Sequence, residues 1–332
     1  MSARRALRLS QYVFAATLAL SPALVPAQQS AWKPTQPVEL ISSTGVGGAQ
    51  DRLARTIQAV LESGKLIPTP AVVVNKPGGS GALSVAYLNQ HAGDGHYVLL
   101  SSALMLSNHI MGKGKLNYTD ITPIAQLFHE YSAVVVKVDS PIKTGADLIA
   151  RMKASPEGVS IGTTVLGTSH HLSIAKAVKA AGLDPRKIRI VNFKSGTDAI
   201  TATMGGHITA TVSSVSNAVA LVKAGSVRIV AVSAPKRLGG DLAEVPTWKE
   251  LGYESVSSNF RTVFGARGLA PAPVQYWEQT MLKVASSPAW LTQVENNYWV
   301  SEPLDSAATR NYLNAEYKTL QGLLGELGLA KQ

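Results

Sequence analysis

Short runs of β-branched and apolar residues alternate along this chain with segments whose apolar positions recur every three to four residues. Runs of the first kind mark strands and a 3.6-residue period marks helices. The pattern therefore predicts strands over residues 38–42, 71–75, 98–101, 133–138, 159–162, 188–192, 210–213, 227–233 and 263–266. Helices are predicted between them, over 49–63, 82–91, 145–154, 169–181, 197–205 and 216–224. The first helix is the clearest: Leu53, Ile57, Val60 and Leu61 share one face, and Gly64 follows as a stop. Such alternation builds parallel sheets covered by helices on both faces. After Ala266 the strand character ends. Val274, Trp277, Met281 and Val284 sit at helical spacing, as do Leu313, Tyr317, Leu320, Leu324 and Leu327, which predicts two closing helices packed over an earlier sheet. The expected first domain is therefore discontinuous, residues 32–131 and 254–332, with 132–253 inserted as a second domain.

The first residues carry a different pattern. Arg4, Arg5 and Arg8 precede a short apolar run over 13–24, and Val25-Pro26-Ala27 ends it with a small residue. This reads as an export signal over residues 1–27, cleaved near Ala27, of the general secretory rather than the twin-arginine type. The mature protein is then expected in the periplasm. The chain has no cysteine, which excludes disulfides, thiolate metal sites and cysteine nucleophiles. It carries 31 basic and 21 acidic residues; without the three early arginines the balance is 28 against 21, about +7. With only 16% charged residues, and Lys and Arg scattered singly, the excess does not describe a nucleic-acid binder. A mildly positive field favours small anionic ligands.

Four glycine-bearing loops connect predicted strands to predicted helices: 44–51, 75–81, 162–169 and 194–198. In α/β sheets ligands bind outside the carboxyl ends of the strands, where such loops lie. A strand entering a helix through glycines aims backbone N–H groups and the positive end of the helix dipole at the space above the turn. On this basis Thr44, Gly45, Val46, Gly47 and Gly48 are candidate anion ligands, as are Gly167, Thr168 and Ser169. Hydroxyls at Thr163, Thr168, Ser169, Ser195 and Thr197 add neutral donors. The plainer account is that glycine is a turn device and that Ser, Thr and Asp cap helices. Asp51 is assigned that structural role, because a carboxylate in the first helical turn complements the dipole and would repel an anion. None of the loops has the spacing of a nucleotide fingerprint.

Catalytic motifs are few. Ser173-Ile174-Ala175-Lys176 and Lys143-Thr144-Gly145 match two elements of penicillin-recognising enzymes, but in reversed chain order and with Ser173 in mid-helix. His170 and His171 are adjacent, so they face different ways on a helix. His171 reads equally as a pocket-lining ligand and as a satisfied structural histidine. No metal site and no cofactor is expected, and the chain reads as a non-enzyme.

Several pieces, taken in order, carry a resemblance. They are Gly47-Gly48-Ala49-Gln50-Asp51, Asn75-Lys76-Pro77-Gly78-Gly79-Ser80-Gly81, Asp94-Gly95-His96-Tyr97, Gly167-Thr168-Ser169-His170-His171-Leu172, Val222-Lys223-Ala224-Gly225 and Val245-Pro246-Thr247-Trp248. In this order the chain resembles the TctC or Bug family, the periplasmic solute-binding proteins of tripartite tricarboxylate transporters. The resemblance implies an α/β, two-lobed periplasmic binding protein of the Venus flytrap type (type II-like), with two crossover strands as hinge. It also implies a ligand carboxylate held by backbone N–H groups of the first glycine loop and of the loop before the Ser169 helix. The second lobe is expected to contribute Lys194, Ser195, Gly196, Thr197, Ser213 and Ser214. Ser102, at a strand end, and Arg261, near a crossover, complete the candidates. Arg261 reads either as salt partner of a second carboxylate or as a surface residue.

Two departures bear on the ligand. Ser43-Thr44-Gly45-Val46 stands where the family usually has Pro-Phe-Pro-Ala, and residues 209–214 lack acidic residues often found there. The expected ligand is a di- or tricarboxylate of the citrate or succinate class. The alternatives are an aromatic carboxylate of the benzoate or terephthalate class, a ligand-presenting partner of a sensor kinase, and, most distantly, an exported serine hydrolase. The expected partners are the membrane permease subunits of such a transporter, and the protein itself is expected to be a monomer.

Overall fold

The computed structural model describes residues 32–331, so the export segment expected over 1–27 lies outside the described residues. The chain begins with β1 (Val38–Ser42), α1 (Ala49–Ser63), β2 (Ala71–Asn75), α2 (Ala82–Asn89), β3 (Tyr97–Ser102) and α3 (Leu104–Ile110). A long strand, β4 (Thr122–Lys137), leads into α4 (Gly145–Ala154), β5 (Ser160–Thr163), α5 (Ser169–Ala180), β6 (Arg189–Asn192), α6 (Gly196–Met204), β7 (Ala210–Ser214), α7 (Val215–Lys223) and β8 (Val227–Val232). The chain then runs through β9 (Ser258–Gly265), α8 (Pro271–Ser286), α9 (Pro288–Asn296), β10 (Val300–Leu304) and α10 (Ser306–Glu326).

The helices begin where local chemistry tells them to. Thr144 and Asp147 form a reciprocal capping box on α4, and Asp305 caps α10 through the Ala308 N–H. Proline occupies the first position of α8 and α9, where its missing N–H costs nothing.

The ten strands form one curled sheet in two parts joined by β4. In the first part β1 lies between β2 and β3, all parallel, and β9 runs antiparallel between β3 and β4. In the second part β5 lies between β6 and β7, also parallel, and β7 runs antiparallel to β4. β4 changes partner in mid-strand: Tyr131 is opposite Ser258 of β9, and Ser132 is opposite Ser214 of β7. A second crossing lies beside the first, where Ser233 N–H donates to the Ser132 carbonyl and Ser257 N–H to the Ser233 carbonyl. The parallel strands of both parts point their carboxyl ends at this crossing.

Four apolar cores flank the sheet, and one of them also takes Leu172 and Ala175 from α5 of the second part. Phe128, Trp277 and Trp290 anchor the α1, α8 and α9 side of the first part, and Phe260, Phe264 and Leu324 the α3 and α10 side. Trp248, Ile161 and Leu148 fill the α4 and α5 side of the second part, and Val135, Ile200 and Val215 the α6 and α7 side.

The expected strand over 133–138 was too short: β4 starts at Thr122. Gln126, His129, Glu130 and Ser132 interrupt its apolar pattern, yet all are buried because both sheets meet there. The expectation that strand character ends after Ala266 is also corrected. β10 follows and pairs with the first half of β4; it contains Pro303, which an edge strand tolerates. The closing helices number three, since Ser287-Pro288 ends α8 and starts α9. The short helix α3 had no sequence signal.

Phe128 tests the shared strand. It is fully buried, stacked on Trp299 with ring centroids 4.1 Å apart and edge-on to Trp290 at 5.7 Å. Phe128→Ala should cost about 3–5 kcal/mol of unfolding free energy, measured by denaturant titration. A cost under about 1 kcal/mol would show that the shared strand is not packed as described.

Candidate ligand-binding site

The first loop is built to hold itself. Gly48 N–H closes on the Gly45 carbonyl at 3.0 Å, and Thr44 Oγ1 accepts from the Asp51 N–H at 3.2 Å. Asp51 turns back over the loop: Oδ2 accepts from Gly47 N–H at 2.9 Å and Arg55 Nε at 3.1 Å, and Oδ1 accepts from Asn75 Nδ2 at 2.9 Å. Burial would raise the Asp51 pKa, but these donors outweigh it and hold the group at about 2. Of the candidate ligands here, Gly47 and Gly48 spend their N–H groups inside the loop. The N–H groups of Gly45, Val46, Ala49 and Gln50 have no acceptor among the described residues. The Val46 side chain projects into solvent, 80% exposed.

The loop before α5 follows the same logic. Gly167 takes φ +84°, a conformation that favours glycine, and its N–H donates to His171 Nδ1 at 3.1 Å. Thr168 Oγ1 donates to the Val165 carbonyl at 2.8 Å and caps α5 through the His171 N–H. Ser169 and His170 keep N–H groups without an acceptor among the described residues. His171 is buried, and desolvation lowers its pKa to about 4, so it sits as a neutral ring with its proton on Nε2. Through Nδ1, His171 holds the turn at Gly167.

In the second part, Ser195 caps α6 by accepting from the Asp198 N–H at 3.1 Å. A methyl at Gly196 would stand 2.8 Å from Asn217 Nδ2, which itself donates to Ser213 Oγ at 2.9 Å. Ser195, Gly196, Thr197 and Ser213 are thus gathered at one sheet end, with Ser214 buried beside Ser132 across β4. Lys194 is exposed.

Between the two sets of loops lies a polar floor made by the crossing strands. Arg261 Nη2 donates to Glu130 Oε2 at 2.6 Å, and both side chains are 8% exposed. Asn259 Nδ2 and Ser216 Oγ complete the shell of Glu130 at 3.3 and 3.4 Å. Ser132 Oγ meets His170 Nδ1 at 2.9 Å. Arg52, in the first turn of α1, bonds the Gly47 carbonyl at 2.5 Å and lies close enough to Arg261 for the two like charges to act on each other. Desolvation lowers the pKa of both Arg261 and His170, and Glu130 opposes it in each case. First turns of α1, α5 and α7 therefore stand around one ion pair. The surface reading of Arg261 is corrected, since it is buried; before any ligand is considered it is paired with Glu130. Glu130, His170, Ser132 and Ser216 were missed, because no motif marks a lone acid in an apolar run.

Ser102 lies opposite Arg261 in the β3–β9 register. With Ser43, Ser80, Gly81, Ser101 and Asn108 it also lines a hollow of about 390 Å³, counting the solvent in its mouth. The hydrolase reading loses its geometry: the Ser173 hydroxyl is buried in α5, and Lys176 Nζ donates to the Val256 carbonyl at 3.1 Å.

Two α/β parts, sharing crossing strands and facing each other with strand ends and helix starts, define a two-lobed solute-binding fold. Comparison narrows the class. Residues 53–329 match the family model described as tripartite tricarboxylate transporter family receptor, and the chain belongs to this TctC family of periplasmic binding proteins. It is 27% identical over 323 residues to a Cupriavidus necator protein named for the gbd 5′ region, covering 96% of each chain. It is also similar to a crystal structure of a TctC solute-binding protein from Polaromonas, with 26% identity, a TM-score of 0.75, and coverage of 88% of this chain and 99% of that one. A structure of an R. palustris protein with adipate shares the fold at 23% identity and TM-score 0.76, over 90% of this chain and 99% of that one.

Acid should loosen the loops in two steps. His171 has a folded pKa below its ordinary 6.5, so its contribution is complete above that pH and is lost as pH falls toward about 4. Asp51, depressed from 3.8 to about 2, contributes above pH 3.8 and is lost as pH falls toward 2. His129 and His170, also lowered by burial, share the first window, so the readout is the difference from a variant. In melting scans against pH, His171→Gln should flatten the upper step and Asp51→Asn the lower. Curves parallel to wild type would contradict the assigned roles.

Proposed function

We propose that this protein captures a small organic acid in the periplasm and delivers it to the membrane permease subunits of a tripartite tricarboxylate transporter. The observation that carries this reading is the placement of unspent helix-start amides, on Ala49, Gln50, Ser169 and His170, around one floor. A carboxylate seated there meets backbone donors and two helix dipoles, and leaves no unpaired buried cation behind when it departs. We take residues 32–131 with 254–332 as one lobe and 132–253 as the other, closing on the ligand because it binds the closed form better. Ser195, Gly196, Thr197, Ser213 and Ser214 complete the cage from the second lobe, with Lys194 at its edge. Export with cleavage near Ala27 and action as a monomer belong to the same reading. The adipate bound by the R. palustris relative supports the ligand class. The sensor kinase draws no support from the relatives and is not proposed.

A thermal-shift screen over small organic acids, followed by calorimetric titration, tests the proposal. A ligand at a hundredfold excess over its Kd should add about 2.7 kcal/mol of stability. Gly48→Ala should weaken the best acid at least tenfold, because the new methyl would stand 2.6 Å from Thr44 Cβ and displace the loop. No response to any acid, or full affinity in a folded Gly48→Ala protein, would count against the site.

A further inference from the structure

The charged groups around the floor nearly all cancel in pairs. Asp51 is matched by Arg55 at 3.1 Å and Glu130 by Arg261 at 2.6 Å. On the opposite rim the 194–198 loop carries one charge of each sign, Lys194 and Asp198. Arg52 is different. Its guanidinium bonds only the Gly47 carbonyl, and it forms no ion pair among the described residues. One positive charge is thus left over, beside the first glycine loop and next to the amides described above.

The remainder of the floor is neutral and two-sided in its hydrogen bonding. Asn259 keeps one N–H and its carbonyl after donating to Glu130, Ser216 keeps acceptor lone pairs after donating its one proton to Glu130, and the Ser132–His170 pair, which shares one hydrogen bond, leaves at least one donor and one acceptor. A carboxylate can only accept. A second one placed at the floor would share Arg261 with Glu130, which already sits on it with a carboxylate of its own. Two carboxylates competing for one buried cation repel at short range in a poorly screened space. An amide or hydroxyl meets no such repulsion, and the floor can return either kind of hydrogen bond.

Resting on the carboxylate reading above, we propose that the cleft selects a singly charged acid. One carboxylate lies at the Arg52 side, and the far end is a neutral amide or hydroxyl over the Glu130–Arg261 pair. Glu130 is the specificity-determining residue: it cancels Arg261 before the ligand arrives and so rejects a diacid of the same length.

The test compares each straight-chain diacid from four to eight carbons, and terephthalate, with its own half-amide. The two members of each pair differ little in shape and by one charge. Calorimetric titration of the wild-type protein at pH 7.5 should show the half-amide of the best-fitting pair binding at least tenfold tighter than its diacid. Glu130→Gln should move that ratio at least tenfold toward the diacid, since Arg261 is then unmatched. Glu130→Asp, which keeps the charge, should preserve the half-amide preference. A wild-type preference for the diacid, or equal affinity, overturns the inference, and this holds even if Glu130→Gln fails to fold. An unmoved ratio in folded Glu130→Gln protein also overturns it. Silence toward both members of every pair removes the carboxylate reading itself, which is a different failure from a reversed ratio.

Discussion

One strand, Thr122–Lys137, is shared by two sheets, and its middle is polar. A central strand with Gln126, His129, Glu130 and Ser132 on it would be a poor choice inside a single sheet. Each such group would need a buried partner, and an unmatched one costs on the order of 1–3 kcal/mol or more when charged. Here the polarity falls where β4 leaves β9 for β7, so side chains from both parts reach it. Arg261 and Asn259 come from β9, His170 from α5, and Ser216 from α7. The position where the fold must change partner is thus also the position where polar atoms can be matched. The site inherits its place from that coincidence.

The loops show a second economy. A glycine turn with all its amides pointing outward would be soft, since nothing would hold it in the binding shape. This chain uses some amides to fix the turn and leaves others for the space above. Asp51 takes the Gly47 N–H and His171 takes the Gly167 N–H, each from inside the following helix. Fixing the turn beforehand lowers the ordering cost of binding, which is how few contacts can still hold a small ligand. The same arrangement explains why an acidic residue sits in the first turn of a helix assigned to anion binding. Its charge is consumed by Arg55, Asn75 and the turn itself.

Most of the secondary structure was legible because periodicity reports burial, and burial repeats in each strand and helix. The elements 38–42, 49–63, 71–75 and 145–154 match the structure at both ends. What escaped was whatever breaks periodicity for a tertiary reason. The first half of β4 carries polar residues that are buried only because two sheets meet; β10 is a proline-bearing edge strand, largely exposed; α3 is barely two turns. At the site, the loops were visible as glycine and hydroxyl clusters, but the division of their amides between fold and ligand was not. Nor could sequence choose between adjacent histidines: their roles are set by which one faces Ser132 and which faces Gly167. Glu130 and Arg261 are 131 residues apart, and no local pattern joins them.

Outside the floor the two proposed lobes meet in two ways: Leu172 and Ala175 of α5 are buried in the core that holds Phe260 and Leu324, whereas the rim contacts are of an adjustable kind. Gly167 packs against Met111, a flexible side chain at the end of α3. Lys179 pairs with Glu326 at 2.5 Å, both about half exposed, and the Tyr298 hydroxyl reaches Asp241, which also pairs with Lys223. Exposed pairs of this type contribute about 0–1 kcal/mol each, so they steer the lobes together without fixing them there. On the closure reading proposed above, such weak rim contacts leave the balance between open and closed lobes to be tipped by a ligand. On the proposed reading, the ligand's own charge is set against Arg52, whose guanidinium bonds only the Gly47 carbonyl and has no ion-pair partner among the described residues, and that interaction is what tips the balance.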